Sequence, residues 1–217
     1  MCDAAGADGI QIAQILKKDS RIGKKAQVRP GLGFAGATLA RDLRALQDLG
    51  KKFRVSTPLL DDVLTVNQKQ LDRLVVMVEQ YFEGELKGKT LTIFGLTYKP
   101  GTSTLRRSSS LEIMERLHQK GVRLYAHDPK ADLSEYSGER YFDFFQDPYR
   151  ACEGSSGILL LTEWPEYKDL DFGRIRKLMS HPFILDAKNH LEGEKLRQLG
   201  FDSLEMGRGQ LKEGVKR

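Results

Sequence analysis

Three cations and three consecutive serines stand together in residues 90–117, TLTIFGLTYKPGTSTLRRSSSLEIMERL. Lys99, Arg106 and Arg107 follow the apolar, β-branched run 90–95, which suits a buried strand. Pro100 and Gly101 break that run, and Ser108, Ser109 and Ser110 offer caps ahead of Leu111, Ile113, Met114 and Leu117 at helical spacing. A strand-to-helix loop brings backbone N–H groups and the positive end of a helix to one point. With three cations added, the chemistry is that of gripping a phosphorylated ligand. From charge alone, a solvated loop explains the same residues equally well.

The surrounding elements divide into two parts. Residues 1–86 read as helical: a short amphipathic helix around Ile10–Leu16, a basic glycine-rich connection over 19–37, a helix from Thr38 to about Leu49, and a long helix from Leu59 to about Phe82. Ser56 or Thr57 followed by Pro58 is a helix-start signature. Leu60, Val63, Leu64, Leu71, Leu74, Val75 and Val78 make one stripe on the long helix. From Lys87 onward strands and helices alternate, as in a parallel α/β domain. Strands are expected at 91–95, 122–127, 157–162, 183–186 and 202–205, and helices at 109–119, 147–153, 171–179 and 194–199. Ligands of such sheets bind beyond the carboxyl ends of the strands, where Lys99, Asp128, Glu163 and Lys188 are expected to share one rim. The tail GRGQLKEGVKR reads as disordered.

Composition excludes several classes. The 217 residues are 40% hydrophobic and 30% charged, with a net charge of +5 and a pI near 9.1, an ordinary globular balance that fits an anionic small ligand. No apolar stretch approaches the roughly 18 residues that cross a bilayer, and MCDAAGADG lacks a signal-peptide pattern, so no membrane is expected and the cytoplasm is the default. Cys2 and Cys152 are too few for a disulfide framework or a metal cluster. Binding of nucleic acid ranks last, since no basic stripe interleaved with aromatics appears.

Gly31-Leu-Gly33-Phe-Ala-Gly36 matches the dinucleotide pattern G-x-G-x-x-G, but the context is wrong. That fingerprint follows an apolar strand, whereas KKAQVRP is polar and ends in proline, and no strand ending in a carboxylate comes about 20 residues later. A bend that lets backbone approach another group, or a plain loop, is the better reading.

Taken in order, these segments resemble the UDP-glucose/GDP-mannose dehydrogenase family (nucleotide-sugar 6-dehydrogenases). TIFGLTYKPGTSTLRRSSSLEIMERL resembles that family's strand–lysine–arginine–serine segment. VRLYAHDPKA, ILLLTEWPEY, DAKNHLEGEKLRQLGF and EMGRG resemble its later landmarks, and upstream SRIG, GLGFAGATLARDLRAL and VLTVNQKQ resemble its catalytic loop and long helix. The resemblance implies a partial helical central domain over 1–86 and a Rossmann-like parallel α/β UDP-binding domain over 87–217. It implies an activity too, the NAD-dependent oxidation of a UDP-sugar to its uronate, in polysaccharide biosynthesis. The family's NAD-binding domain has no counterpart in these residues, so no cofactor is expected to bind this chain. The implied partners are a UDP-sugar and either a second copy in a homodimer or a chain bearing an NAD domain.

Carried over residue by residue, the resemblance implies sugar-nucleotide contacts from Arg21, Phe34, Tyr98, Lys99, Arg106 and Lys188. Lys188 stands where the family has an arginine, so a bidentate fork becomes a point charge. The larger departure is Thr38. The family's loop reads G-F-G-G-S-C, and its cysteine attacks the aldehyde intermediate to form the thioester that water opens. A thiol with pKa near 8.5 supplies some thiolate at neutral pH; a threonine hydroxyl needs a strong adjacent base. Arg41, in a lysine's place, cannot accept a proton, and Asp42, matching the aspartate that orients water, is a weak base for an alcohol. The resemblance therefore implies binding without oxidation by these residues alone.

Overall fold

The computed structural model describes residues 1–209. Two short helices, α1 (Cys2–Ala5) and α2 (Gly9–Leu16), lead into an irregular stretch over 17–37, then α3 (Thr38–Phe53) and α4 (Pro58–Tyr81). Alternating units follow: β1 (Thr90–Phe94), α5 (Ser109–Gln119), β2 (Arg123–His127), β3 (Phe142–Phe144), α6 (Pro148–Ala151), β4 (Gly157–Leu160), α7 (Phe172–Leu178), β5 (Phe183–Asp186), α8 (Gly193–Gln198) and β6 (Asp202–Glu205). All six strands are parallel, in the order β3-β2-β1-β4-β5-β6. The chain reverses its direction of growth between β1 and β4, which opens a crevice at their carboxyl ends.

Period-two alternation sends each strand's apolar residues to both faces, as a sheet covered on both sides requires. Leu91, Ile93, Leu159, Phe183 and Leu185 meet one layer of helices, α4 and α5, through Leu74, Val78, Ile113 and Leu117. Phe94, Ile158, Leu160 and Ile184 meet the other, through Phe172 and Ile175 of α7 and Leu196 of α8. The stripe on α4 divides accordingly. Leu71, Leu74, Val75 and Val78 are buried against the sheet layer, whereas Leu60, Val63 and Leu64 are only half-buried. Along the α4–α5 seam, Lys120 pairs with Glu79 at 2.6 Å and Arg116 with Asp72 at 3.0 Å.

Several expectations need correction. The helix begun at Thr38 runs on to Phe53, ending where Arg54 takes a left-handed conformation and its N–H caps Gly50. β3 was not foreseen: FDF is a three-residue edge strand whose register comes from Leu124–Ala126. The tail was expected to be disordered from Gly207, yet 207–209 are held; the remainder of that expectation, 210–217, lies outside the described residues. Among the described residues no helix is long and apolar enough to cross a membrane.

What holds 207–209 is a carboxylate near the other end of the chain. Asp3, 7% exposed, accepts from Arg73 Nη2 of α4 at 2.6 Å, Gly207 N at 3.2 Å and Gly209 N at 3.1 Å. Gly9 N donates to Gly207 O at 2.8 Å. Gly207 must be glycine here: its φ is +82° and a Cβ would stand 2.3 Å from Pro30 Cβ. Removing the acceptor by Asp3→Ala strands an arginine and two N–H groups. Urea unfolding of that variant is expected to show a loss of about 3 kcal/mol, seen as a lower midpoint with an unchanged slope.

Candidate functional site

At the crevice, the carboxylate of Asp128 just past β2 is buried, 3% exposed, and saturated with donors. Its Oδ2 accepts from Leu96 N (2.7 Å), Thr97 N (2.9 Å), Thr97 Oγ1 (3.0 Å) and Trp164 Nε1 (3.1 Å), and its Oδ1 from Lys130 N and Ala131 N (both 2.9 Å). One side chain thus ties together the loops after β1, β2 and β4. Gly95 lets the first and third approach: φ is +96°, and a Cβ would lie 2.3 Å from Thr162 Cβ. Trp164 is accordingly a packing residue. Ser108 caps α5, accepting from Ser110 N at 3.2 Å while donating to Leu96 O at 2.6 Å.

Beside this junction lies a cleft of about 900 Å³. One wall is formed by Glu163 and Lys168 after β4 and by Lys188, Asn189 and His190 after β5. The loop after β5 is set by Asp186, which accepts from Lys188 N (2.9 Å), His190 N (2.7 Å) and Leu191 N (2.8 Å). The other wall is the first half of α4 and the loop 27–34. Asn67 clasps that loop through both atoms of its amide: Oδ1 accepts from Phe34 N at 2.8 Å and Nδ2 donates to Phe34 O at 3.0 Å. Gln70 Nε2 donates to Gly31 O at 3.0 Å, and Arg29 Nη2 crosses the cleft mouth to Asn189 O at 3.1 Å.

This clasp explains the glycine pattern. Gly33 has φ +85° and a Cβ there would meet Asn67 Oδ1 at 2.2 Å; Gly36, also at φ +85°, leaves 3.0 Å to the Tyr98 ring. No strand precedes Gly31. The two glycines serve close approach to a side-chain amide and an aromatic ring, and do not fit a pyrophosphate cradle on a strand–helix turn.

Of the residues singled out from the sequence, Phe34, Glu163 and Lys188 line the cleft. Tyr98 meets Lys188 at a small adjoining recess that also includes Leu32 and Ser108. Lys99 is exposed, its Nζ 5.5 Å from the centre of the Tyr98 ring. Arg106 is exposed close to Glu135, whose carboxyl is held low first by the hydrogen bond from Thr104 Oγ1 and then by Leu105 N, with Arg106 adding less. Arg107 lines a separate hollow with Arg44, between α3, α4 and α5. Arg21 is exposed and pairs with Asp19 at 2.6 Å; Thr38 is exposed at the start of α3, with Arg41 and Asp42 paired to each other at 3.1 Å. Lys99, Asp128, Glu163 and Lys188, expected on one rim, do follow the ends of β1, β2, β4 and β5, but they face different partners: Asp128 points inward to its donors, Lys99 lies over the Tyr98 ring, and Glu163 and Lys188 pair at 3.1 Å.

Asn67, Gln70, Arg29 and His190 were not singled out from the sequence. Asn67 and Gln70 sit three residues apart on the same side of α4 as Val63, so a polar pair beside the apolar stripe was the available signal. His190 and His127 both have pKa values lowered by burial, in His190 assisted by the charge of Lys168. His127, at the end of β2, sits with Nδ1 3.2 Å from Tyr167 Oη. A histidine that resists protonation when folded but titrates near 6.5 when unfolded makes the unfolded chain the better proton binder. Its contribution is complete above about pH 6.5 and is lost on acidification. Stability from urea unfolding at pH 7.5 and 5.5 should therefore fall towards the lower pH, and His127→Gln should flatten that slope.

Residues 92–193 match the model of the UDP-glucose/GDP-mannose dehydrogenase family, UDP binding domain, and residues 1–69 that of the same family's central domain. The chain is 32% identical over 214 residues to UDP-glucose 6-dehydrogenase TuaD of Bacillus subtilis, covering 96% of this chain and 45% of that protein. It is 31% identical over 216 residues to UDP-glucose 6-dehydrogenase of Pseudomonas aeruginosa, covering 96% and 47%. A UDP-glucose dehydrogenase structure from Pyrobaculum islandicum superposes with a TM-score of 0.77 at 25% identity over 96% of this chain and 45% of that one. The NDP-N-acetyl-D-galactosaminuronic acid dehydrogenase of Methanosarcina mazei shares the fold, with a TM-score of 0.80 at 18% identity over 96% and 46%. The chain spans about half the length of the curated relatives it matches.

Proposed function

The chain belongs to the UDP-glucose/GDP-mannose dehydrogenase family, and from that premise we propose that its cleft binds a nucleotide sugar, such as a UDP-sugar, by the diphosphate. The observation that carries this reading is the placement of Lys188, Lys168 and Arg29 around one cavity of about 900 Å³ at the carboxyl edge of a parallel sheet. That is where ligands of such sheets sit, and the size suits a nucleotide-sized molecule. Phe34 offers an apolar surface in the same cavity.

These residues bind the sugar nucleotide without completing its oxidation. One turn on from Thr38, Arg41 accepts no proton and Asp42, a weak base for an alcohol, is engaged with Arg41. The hydroxyl therefore stays protonated and is a poor nucleophile for an aldehyde. NAD, the family's oxidant by resemblance, is not fitted by glycines 31–36. A second polypeptide, either another copy or a chain bearing an NAD domain, is supported by α3, on which Leu46, Leu49 and Phe53 are exposed.

Two measurements test this reading. UDP at 100 times its dissociation constant stabilises a binder by about 2.7 kcal/mol, so the melting temperature should rise by about 5–10 °C. No shift with millimolar UDP, UDP-glucose or UDP-glucuronate refutes the binding. The 217-residue chain mixed with NAD and UDP-glucose should give no sustained rise in NADH absorbance, and Thr38→Cys should not create one. Steady turnover by either refutes the second half of the reading.

A further inference from the structure

Three acidic side chains follow strand ends around the cleft, and they differ in how they are satisfied. Asp128 and Asp186 are buried and take hydrogen bonds from the loops around them. Glu163 is different. Its Oε2 is screened from water and, among the described residues, receives no aligned hydrogen bond; the cation paired with it is Lys188, whose Nζ lies 3.1 Å away outside hydrogen-bonding alignment. A carboxylate oxygen taken out of water with a single misaligned ammonium as its partner is held weakly for its cost. Of the three, this is the one in the cleft wall.

We propose that Glu163 is a resident counter-anion: it occupies Lys188 in the empty cleft and is displaced by the diphosphate of the ligand, so that this carboxylate sets how tightly the cleft takes phosphate charge. The inference rests on the nucleotide-sugar reading of the cleft. Both members stand on backbone that cannot retreat. Lys188 N is bonded to Asp186 Oδ1 at 2.9 Å. Glu163 lies between Thr162, whose Oγ1 donates to Thr97 O at 2.5 Å, and Trp164, whose indole is bonded to Asp128. The exchange is therefore one of side chains: the ammonium keeps its place, 20% exposed, while the glutamate, 39% exposed, has a path to water. The remaining charges on the cleft wall are Arg29, Lys168 and Asp62, with His190 held towards its neutral form. Glu115, exposed on α5 and outside the cleft lining, serves as the control.

The test compares UDP affinity of the full chain and two isosteric variants by calorimetry at low salt. Glu163→Gln frees Lys188 and should tighten UDP about tenfold, the scale of one charge-assisted contact. Glu115→Gln, which alters only the general field, should change affinity by less than about threefold. An unchanged or weaker affinity in Glu163→Gln overturns the proposal, and so does an equal gain in Glu115→Gln. A lower melting temperature of Glu163→Gln with unaltered UDP affinity also overturns it, by making the pair a structural tie. If wild type binds UDP and Glu163→Gln shows no gain, the counter-anion role alone fails. If wild type and both variants bind no UDP, the nucleotide reading fails and this inference falls with it.

Discussion

The carboxylate of Asp128 is the constraint on which the site depends. A buried ionised group without partners costs several kcal/mol, so the chain can place one at the sheet's crevice only by surrounding it with donors. It does so with six, drawn from the loops after β1, β2 and β4. Those bonds decide where each loop leaves the sheet. Once Trp164 is anchored through its indole, Glu163 must stand in the cleft wall, and once Leu96 and Thr97 are anchored, Tyr98 must face Gly36. Asp186 repeats the device at the end of β5, where three backbone N–H groups shape the turn that carries Lys188. Burial pushes its carboxyl up while those bonds pull it down. Both carboxylates spend their capacity on the loops around them, leaving their neighbours to line the cleft.

The opposite wall obeys a different rule. There the loop 27–34 has no regular structure to satisfy its backbone, and the parts of it that lie against α4 must find partners elsewhere. Asn67 and Gln70 of α4 supply them. An amide side chain that both accepts from and donates to one residue's backbone behaves like a neighbouring strand, and it needs the loop within touching distance. That demand removes the Cβ at Gly33. A glycine spacing that imitates a dinucleotide fingerprint thus has an ordinary steric origin.

Local patterns carried most of the fold in the sequence. Short strand-like runs alternating with helical spacing from Lys87 onward located five of the strands, and Ser108 with the apolar spacing after it located α5. What sequence could not show depends on distant partners. FDF becomes β3 only because β2 offers it an edge, and Asp3 becomes a hub only because Arg73, Gly207 and Gly209 converge on it from positions 70 to 206 residues away. The candidate site divides in the same way. Phe34 and Lys188 follow motifs whose order in the chain is informative, and both line the cleft. Lys99 and Arg106 come from the same resemblance as well as from their charge, and a side chain of that length finds its partner locally: the Tyr98 ring in one case, the vicinity of Glu135 in the other. Charge in a loop tells which sign is present; it does not tell where the loop sends it.

The geometry also bears on how binding and chemistry are related. Among the described residues, the hydrogen bonds named above that shape the cleft run among Arg29, Gly31, Phe34, Asn67, Gln70, Asp128, Asp186 and the loops after β1, β2, β4 and β5. The side chain at position 38 takes no part in any of them: it sits exposed at the first turn of α3, one turn before the Arg41–Asp42 pair. A thiol and a hydroxyl at that point are therefore equivalent to the architecture. The clasp of Asn67, the donor set of Asp128 and the turn at Asp186 stand whichever of the two is present. The cleft and position 38 are thus physically separate, because the first is shaped by loops tied to buried side chains and the second is one exposed side chain.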